Sequence, residues 1–250
     1  MTLPDGFLRG HIAHRALHDR AAGQPENSRA AIRAALAHDL AVEIDIQPSA
    51  DGVAMVFHDD RLDRLTDAIG PVAARPAAEL GAITLRDSDE GIPTLTEVLD
   101  LIAGRVPLLI EVKDQDGAMG PAIGPLEDAV IAALTDYDGP VAVMSFNPHS
   151  VDHMRRHAPD LPRGLVTSAY RAEHWPDLPA AVRDRLRTMP DLDRIQAQFI
   201  SHEVADLDSP HVARARAAGL AILCWTVRSP EAEARARRIA DAVTFEGYLP

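Results

Sequence analysis

The sequence predicts an α/β fold, a (β/α)8 TIM barrel, from three observations. Short apolar runs alternate with helix-length, Ala- and Arg-rich segments from one end of the chain to the other. No GxGxxG follows the first run, as an open dinucleotide-binding sheet would require. Polar residues gather at the C-terminal ends of several different runs, where a barrel keeps its reactive side chains. The length of 250 residues suits one such barrel, so residues 1–250 are expected to form a single domain.

The strand candidates, in order, are FLRGHIAHR, AVEIDI, VAMVFHD, VPLLIEVK, VAVMSF, RGLVT, IQAQFIS, LAILCWTV and DAVTFEG, each bounded by Gly, Pro, Asp or a helix signal. Such near-continuous apolar strands belong to a parallel sheet covered on both faces. Between them, SRAAIRAALAHD follows an Asn27/Ser28 cap, and SPEAEARARRIAD has Ser229 as cap with Pro230 in its first turn. The SADGV turn makes the second strand double back as a hairpin that ends at His58. Residues 59–92 exceed an ordinary βα loop and are expected to form a small lid-like insertion after the second strand. The sequence reaches GYLP directly after the last strand, so the closing helix is expected to be missing or reduced to a stub.

Composition excludes several functions. With 25 basic against 38 acidic residues, the net charge of −13 opposes nucleic acid and anionic membranes. No apolar run approaches the roughly 18 residues of a membrane span, so no integral membrane association is expected. MTLPDGFLRGHIAHR has no leader pattern, and a cytoplasmic location is expected. The single cysteine, Cys224, lies within LAILCWTV and reads as a buried core thiol. His149, His153 and His157 share one helical face, but with no evident carboxylate partner they read as part of a solvated helix.

The chemistry concentrates at strand ends: His14 and Arg15, Glu43 and Asp45, His58, then Glu111 and Lys113. Acids or bases two apart on a strand share a face, so Glu43 with Asp45, and Glu111 with Lys113, point into the barrel together. Three carboxylates in one cavity repel one another and lose solvation, which calls for a cation. Oxygen donors without thiolate indicate a hard divalent ion, Mg²⁺ or Ca²⁺. Arg15 and Lys113 add permanent positive charge suited to a phosphate, and two histidines can serve as general base and general acid. Phosphodiester chemistry on a small molecule is the reading.

Here the sequence resembles the glycerophosphodiester phosphodiesterases, of the phosphatidylinositol-phospholipase-C-like barrel group. The match runs through IAHR, PENS, EIDIQPSADGVAMVFHDDRLDRLTD, IPTLTEVLDLI, LLIEVK, MSFNP and CWTVRSPEA, nearly the whole chain. The resemblance implies a metal held by Glu43, Asp45 and Glu111, acid–base catalysis by His14 and His58, and phosphate contacts from Arg15 and Lys113. It further implies a pocket aromatic at Trp225, with Phe146 a second candidate, and cleavage to glycerol 3-phosphate and an alcohol through a cyclic phosphate. The same machinery could act on lysophospholipids in the manner of lysophospholipase D or sphingomyelinase D; a phosphate-binding module without catalysis would need neither histidine. The chain departs from the family pattern in three places. Ala16 stands where glycine is usual, ALHDRAAGQ is longer than common, and TFEGYLP replaces TD.P, leaving Glu246 and Tyr248 with no role. Within PENS, helix capping is a sufficient account of Asn27 and Ser28.

Overall fold

The computed structural model describes residues 3–8 and 10–250. Its strands are β1 (His11–Ala13), β2 (Ala41–Pro48), β3 (Ala54–Val56), β4 (Leu108–Val112), β5 (Val141–Ser145), β6 (Arg163–Thr167), β7 (Phe199–Glu203), β8 (Ala221–Val227) and β9 (Ala242–Phe245). All but β3 run parallel, in the order β1-β9-β8-β7-β6-β5-β4-β2, and β1 also pairs with β2, so eight strands close into a barrel. Antiparallel β3 pairs with β2 beyond the barrel rim, with Ile46 opposite Val56. Its turn carries Gly52 in the left-handed region (φ 81°), a conformation that glycine adopts without steric penalty.

Strand alternation sorts side chains between inside and outside. Val42, Ile44 and Ile46 of β2 point outward and join Ala31, Ile32, Ala35, Val98, Leu99 and Ile102 of the surrounding helices in the main core. Ala41 points inward with Ile12, Leu109, Ala142, Phe199, Leu223 and Ala242 to fill the lower barrel. A Cβ on Gly164 would lie 2.4 Å from the Phe199 ring, so this position tolerates only glycine at the observed packing. Above this apolar plug the inward positions turn polar, which places the reactive layer at the C-terminal ends of the strands.

Several boundaries differ from the sequence reading. The first run does not start as strand: Asp5–Leu8 is a helical turn whose buried Phe7, with Leu3, packs against the lower barrel. Both residues close an apolar floor that would otherwise meet water, a tertiary demand that outweighs the local β pattern. Arg9, within that predicted run, lies outside the described residues. The predicted strand IQAQFIS likewise begins as a short helix, Leu192–Ile195, and becomes strand only at Phe199.

Helix starts follow capping chemistry, with one reassignment. Ser28 alone caps Arg29–Ala37, its Oγ accepting from the Ala31 N–H, while Asn27 is turned elsewhere. Thr94 and Glu97 form a capping box on Leu95–Ile102, and Ser229 caps Pro230–Ala236; each such cap contributes about 1 kcal/mol. Residues 59–92 fold into short helical turns around a core of their own, in which Leu62, Leu65, Val72, Leu80, Leu85 and Ile92 pack on Met55 and Phe57. No residue of this segment lines the central cavity; it flanks the barrel mouth, where Arg64 bonds Asp59 and Glu26. Cys224 is buried, and burial pushes its thiol up to about 12.

Candidate active site

A cavity of about 160 Å³ opens at the top of the barrel, lined by His14, Arg15, Glu43, Asp45, His58, Glu111, Lys113, Phe146 and Trp225 together with Met144, Val166, Ser201, Thr226, Arg228 and Thr244. All nine residues singled out in the sequence therefore meet in one place. Larger clefts of about 470 and 630 Å³ lie elsewhere and share none of these residues.

The floor is acidic because β2 and β4 are neighbours in register, with Asp45 opposite Glu111. One carboxylate oxygen from each of Glu43, Asp45 and Glu111 can be chosen so that all three lie within 4.8 Å of one another. Lys113 Nζ bridges two of these acids, donating to Glu111 Oε1 and Asp45 Oδ1 at 2.6 Å each. Arg15 Nε lies 3.6 Å from Asp45 Oδ2. These two cations do not balance three acids, and the deficit falls on Glu43. Full burial, then repulsion from Asp45 and Glu111, pushes its carboxyl well above the usual range. Burial acts the same way on Asp45, but Lys113, His58 and Arg15 together hold it far below that range. An all-oxygen donor set whose third carboxyl lacks a counter-ion fits a hard divalent cation such as Mg²⁺ or Ca²⁺.

The carboxylates are held from outside by residues that sequence reading missed. Asn27 Nδ2 donates to Asp45 Oδ2 at 2.9 Å, and the Asp45 N–H returns a bond to Asn27 Oδ1 at 3.2 Å. Asn27 is thus a support for an acid, not a cap. The Arg15 N–H donates to Glu43 Oε2 at 2.7 Å, from a backbone in the left-handed region at Arg15 (φ 51°) and Ala16 (φ 65°). Ala16 holds this left-handed conformation despite its Cβ, at a cost of about 1 kcal/mol. Glu26 accepts from Arg15 and from Arg64, tying the 59–92 segment to the rim.

The two histidines differ in setting. His14 sits at the end of β1, 13% exposed, with Nδ1 2.6 Å from Glu246 Oε2. Burial lowers its pKa, and this outweighs the opposing pull of Glu246. The hydrogen bond from His14, with the His18 ring close by, holds Glu246 well below the usual carboxylate range. An ionised carboxylate can only accept, so Nδ1 carries the proton and Nε2 is left basic. His58, at the end of the hairpin and 30% exposed, sets Nδ1 2.7 Å from Asp59 Oδ1. Burial raises Asp59, but hydrogen bonds from His58 and Arg64 keep it ionised and low.

Trp225 and Phe146 form one wall, their rings 5.7 Å apart and nearly perpendicular, with Trp225 Nε1 donating to the Ser201 carbonyl. Two buried hydroxyls in the lining, Ser201 Oγ and Thr244 Oγ1, have no hydrogen-bond partner. Nothing in the sequence signalled either, since a lone Ser or Thr on a strand has many bland uses. On the outer surface, His153 bonds Asp128 at 2.6 Å and stacks on His157, so this helix does have a carboxylate partner, contrary to expectation. The three histidines of that helix do not form a potential metal-binding group among the described residues, in contrast to Glu43/Asp45/Glu111 and His14/His18/Glu246. No helix of the described residues is long and apolar enough to cross a membrane.

Comparison with known proteins identifies the family. The sequence model of the Glycerophosphoryl diester phosphodiesterase family matches residues 14–245. A glycerophosphodiester phosphodiesterase of Caldanaerobacter subterraneus is 31% identical over 174 residues, 66% of this chain and 69% of its own length. Another, from Bacillus subtilis, is 25% identical over 227 residues, covering 80% of this chain and 70% of its own. The solved structure of an Oleispira antarctica phosphodiesterase in complex with the product sn-glycerol-3-phosphate superposes with a TM-score of 0.78 at 27% identity, over 96% of this chain and 94% of that one. The match covers the barrel from the His14 strand end to the last strand, and the chain belongs to the glycerophosphoryl diester phosphodiesterase family, enzymes that hydrolyse phosphodiesters.

Proposed function

We propose that the protein cleaves small glycerophosphodiesters to glycerol 3-phosphate and an alcohol, with His14 as the first general base and His58 as the general acid. The observation that carries this reading is the His14 ring: its Nδ1 is engaged by Glu246, so the basic Nε2 is left to work in a cavity floored by three carboxylates. A bound Mg²⁺ or Ca²⁺, held by Glu43, Asp45 and Glu111, would neutralise the floor and supply positive charge for a phosphate. Arg15 and Lys113 face the same space and orient the anion.

His14 takes the proton from the substrate hydroxyl next to the ester, which attacks phosphorus and closes a five-membered cyclic phosphate. His58, nearer the mouth, protonates the departing oxygen, and the alcohol leaves toward solvent. Water then opens the ring with the two histidines in exchanged roles. No Ser, Thr or Cys is required as nucleophile, because the neighbouring hydroxyl gains the high effective concentration of an intramolecular group. Ser201 and Thr244 offer unsatisfied hydroxyls to the polar glycerol end.

The size of the cavity, about 160 Å³, favours this substrate class over lysophospholipids, since pockets for larger ligands run to about 300–1,000 Å³. The test compares a glycerophosphodiester with its analogue lacking the attacking hydroxyl, with and without chelator. Turnover of the parent, its loss on chelation, its return with Mg²⁺ or Ca²⁺, and a deoxy analogue that binds but is not cleaved are the expected results. Equal cleavage of both compounds would overturn substrate-assisted attack.

A further inference from the structure

His18 has no part in the reaction just described, yet the fold delivers it to the active-site rim. The left-handed turn at Arg15 and Ala16 folds the chain back on itself, with the His18 N–H donating to the Ala16 carbonyl at 2.9 Å. The following loop is pinned by the Asp19–Gln24 bridge and by an ion pair from Arg20 to Asp87 of the 59–92 segment. His18 Nε2 is thereby shielded from solvent without a hydrogen-bond partner, 3.7 Å from Glu246 Oε2. Leaving a buried polar atom unpaired costs about 1–3 kcal/mol. The other oxygen of Glu246 is taken by Arg228 Nε at 2.7 Å, so Oε2 faces the two imidazoles.

We propose that His14, His18 and Glu246 form a second metal site, for Zn²⁺ or a similar borderline cation, whose occupancy switches the enzyme off. One ligand atom from each residue lies within 4.8 Å of the others. Zinc at its usual 2.0–2.1 Å bond length sets tetrahedral ligands about 3.3 Å apart, so sub-ångström to ångström side-chain shifts complete the site. Two imidazoles and a carboxylate, with water in the fourth position, are a common zinc donor set. Imidazole discriminates against Mg²⁺ and Ca²⁺, which the all-oxygen floor would take instead. The two sites therefore separate cations by donor chemistry.

Occupancy reaches His14 directly. The ion replaces the proton on Nδ1, and the neutral ring then carries its proton on Nε2, where no lone pair remains to accept one from substrate. This consequence rests on the reading of His14 as base, whereas the site itself does not.

The test is equilibrium dialysis against micromolar Zn²⁺ in millimolar Mg²⁺, with bound zinc counted by elemental analysis, alongside turnover in the same buffers. Wild type should hold one more zinc per chain than His18→Ala or His18→Asn and should lose turnover as that zinc binds. Both variants should turn over normally without zinc and need at least roughly 100-fold more zinc for the same inhibition, since losing even an outer partner of a metal ligand costs about 10–100-fold in affinity. Equal zinc stoichiometry in wild type and both variants would overturn the site. One zinc fewer in the variants, with inhibition absent from wild type as well, would leave the site standing and overturn the role given to His14.

Discussion

The two histidine corners of the cavity carry the same side chain and the same kind of partner, a carboxylate about equally close to Nδ1, at 2.6 Å for His14 and 2.7 Å for His58. Their mountings differ. His14 is anchored in the barrel itself, between β1 and the end of β9, and is 13% exposed. His58 stands where the β2–β3 hairpin passes into the 59–92 segment and is 30% exposed, with Asp59 shared by Arg64. Exposure is what separates them: burial lowers the His14 pKa and leaves the ring neutral with a lone pair free to accept a proton, while the more open corner is suited to hand a proton to a group leaving toward solvent. Identical hydrogen-bond geometry therefore does not imply an identical role.

The largest effect that could break this comparison comes from removing each ring. His14→Ala and His58→Ala should each lower kcat on an alkyl glycerophosphodiester by roughly 10²–10⁴. On an aryl ester, whose leaving group needs no acid, His58→Ala should release the phenol at nearly the wild-type rate while cyclic phosphate accumulates, because ring opening still lacks its base. His14→Ala should stay slow on both esters. The readouts are phenol release and phosphorus NMR of the products, and recovery of His14→Ala on the aryl ester would reverse the two assignments.

A smaller effect sharpens the comparison at the partners. Glu246→Gln keeps an acceptor for the His14 Nδ1–H but removes its charge, and a charged acceptor is worth about 1 kcal/mol more than a neutral one, so kcat/KM should fall roughly 10-fold. The direction of its pH shift follows from the opposing influences on His14. Burial lowers the ring and Glu246 raises it, so removing the charge lets the pKa fall further and moves the acidic limb of the pH profile to lower pH. Asp59→Asn should leave that limb in place. A matching shift in both variants would show that the limb does not belong to His14.

The smallest effect concerns the floor that both corners share. Glu43 has a raised pKa in the folded chain, so the stability associated with its proton is complete below the unfolded value of about 4.5 and is lost as pH rises through the folded value. Metal-free Glu43→Gln should therefore melt above metal-free wild type at neutral pH, by on the order of 2–4 °C per kcal/mol regained. The gap should open as pH rises from about 4.5. A lower melting temperature across that range would mean that Glu43 is stabilising as an anion.

Much of this was legible in the chain. Apolar runs separated by helix-length segments identified the barrel, and the period of two along EIDI and LLIEVK put Glu43 with Asp45 and Glu111 with Lys113 on common faces. The ends of the runs were less legible, as Phe7 and Ile195 show, because an apolar residue next to a strand looks the same whether it continues the strand or folds under the barrel. Asn27 was read as a cap since Asn before Ser and a helix has a sufficient local explanation, and its bond to Asp45 is not local. Glu246 was the larger omission. It reaches His14 across 232 residues, and TFEGYLP lacks the motif that would have directed attention to it.

The sequence alone settled which side chains share a face and which residue types could hold a cation or move a proton, because periodicity and donor chemistry are properties of neighbouring residues. Barrel closure settled which faces meet. By placing β9 beside β1 it joined Glu246 to His14 and His18, and by excluding water it kept one imidazole neutral and pushed one carboxyl above its usual range. Desolvation depends on everything packed around a group, so the ionisation of His14 and Glu43 exists only once the whole chain has folded.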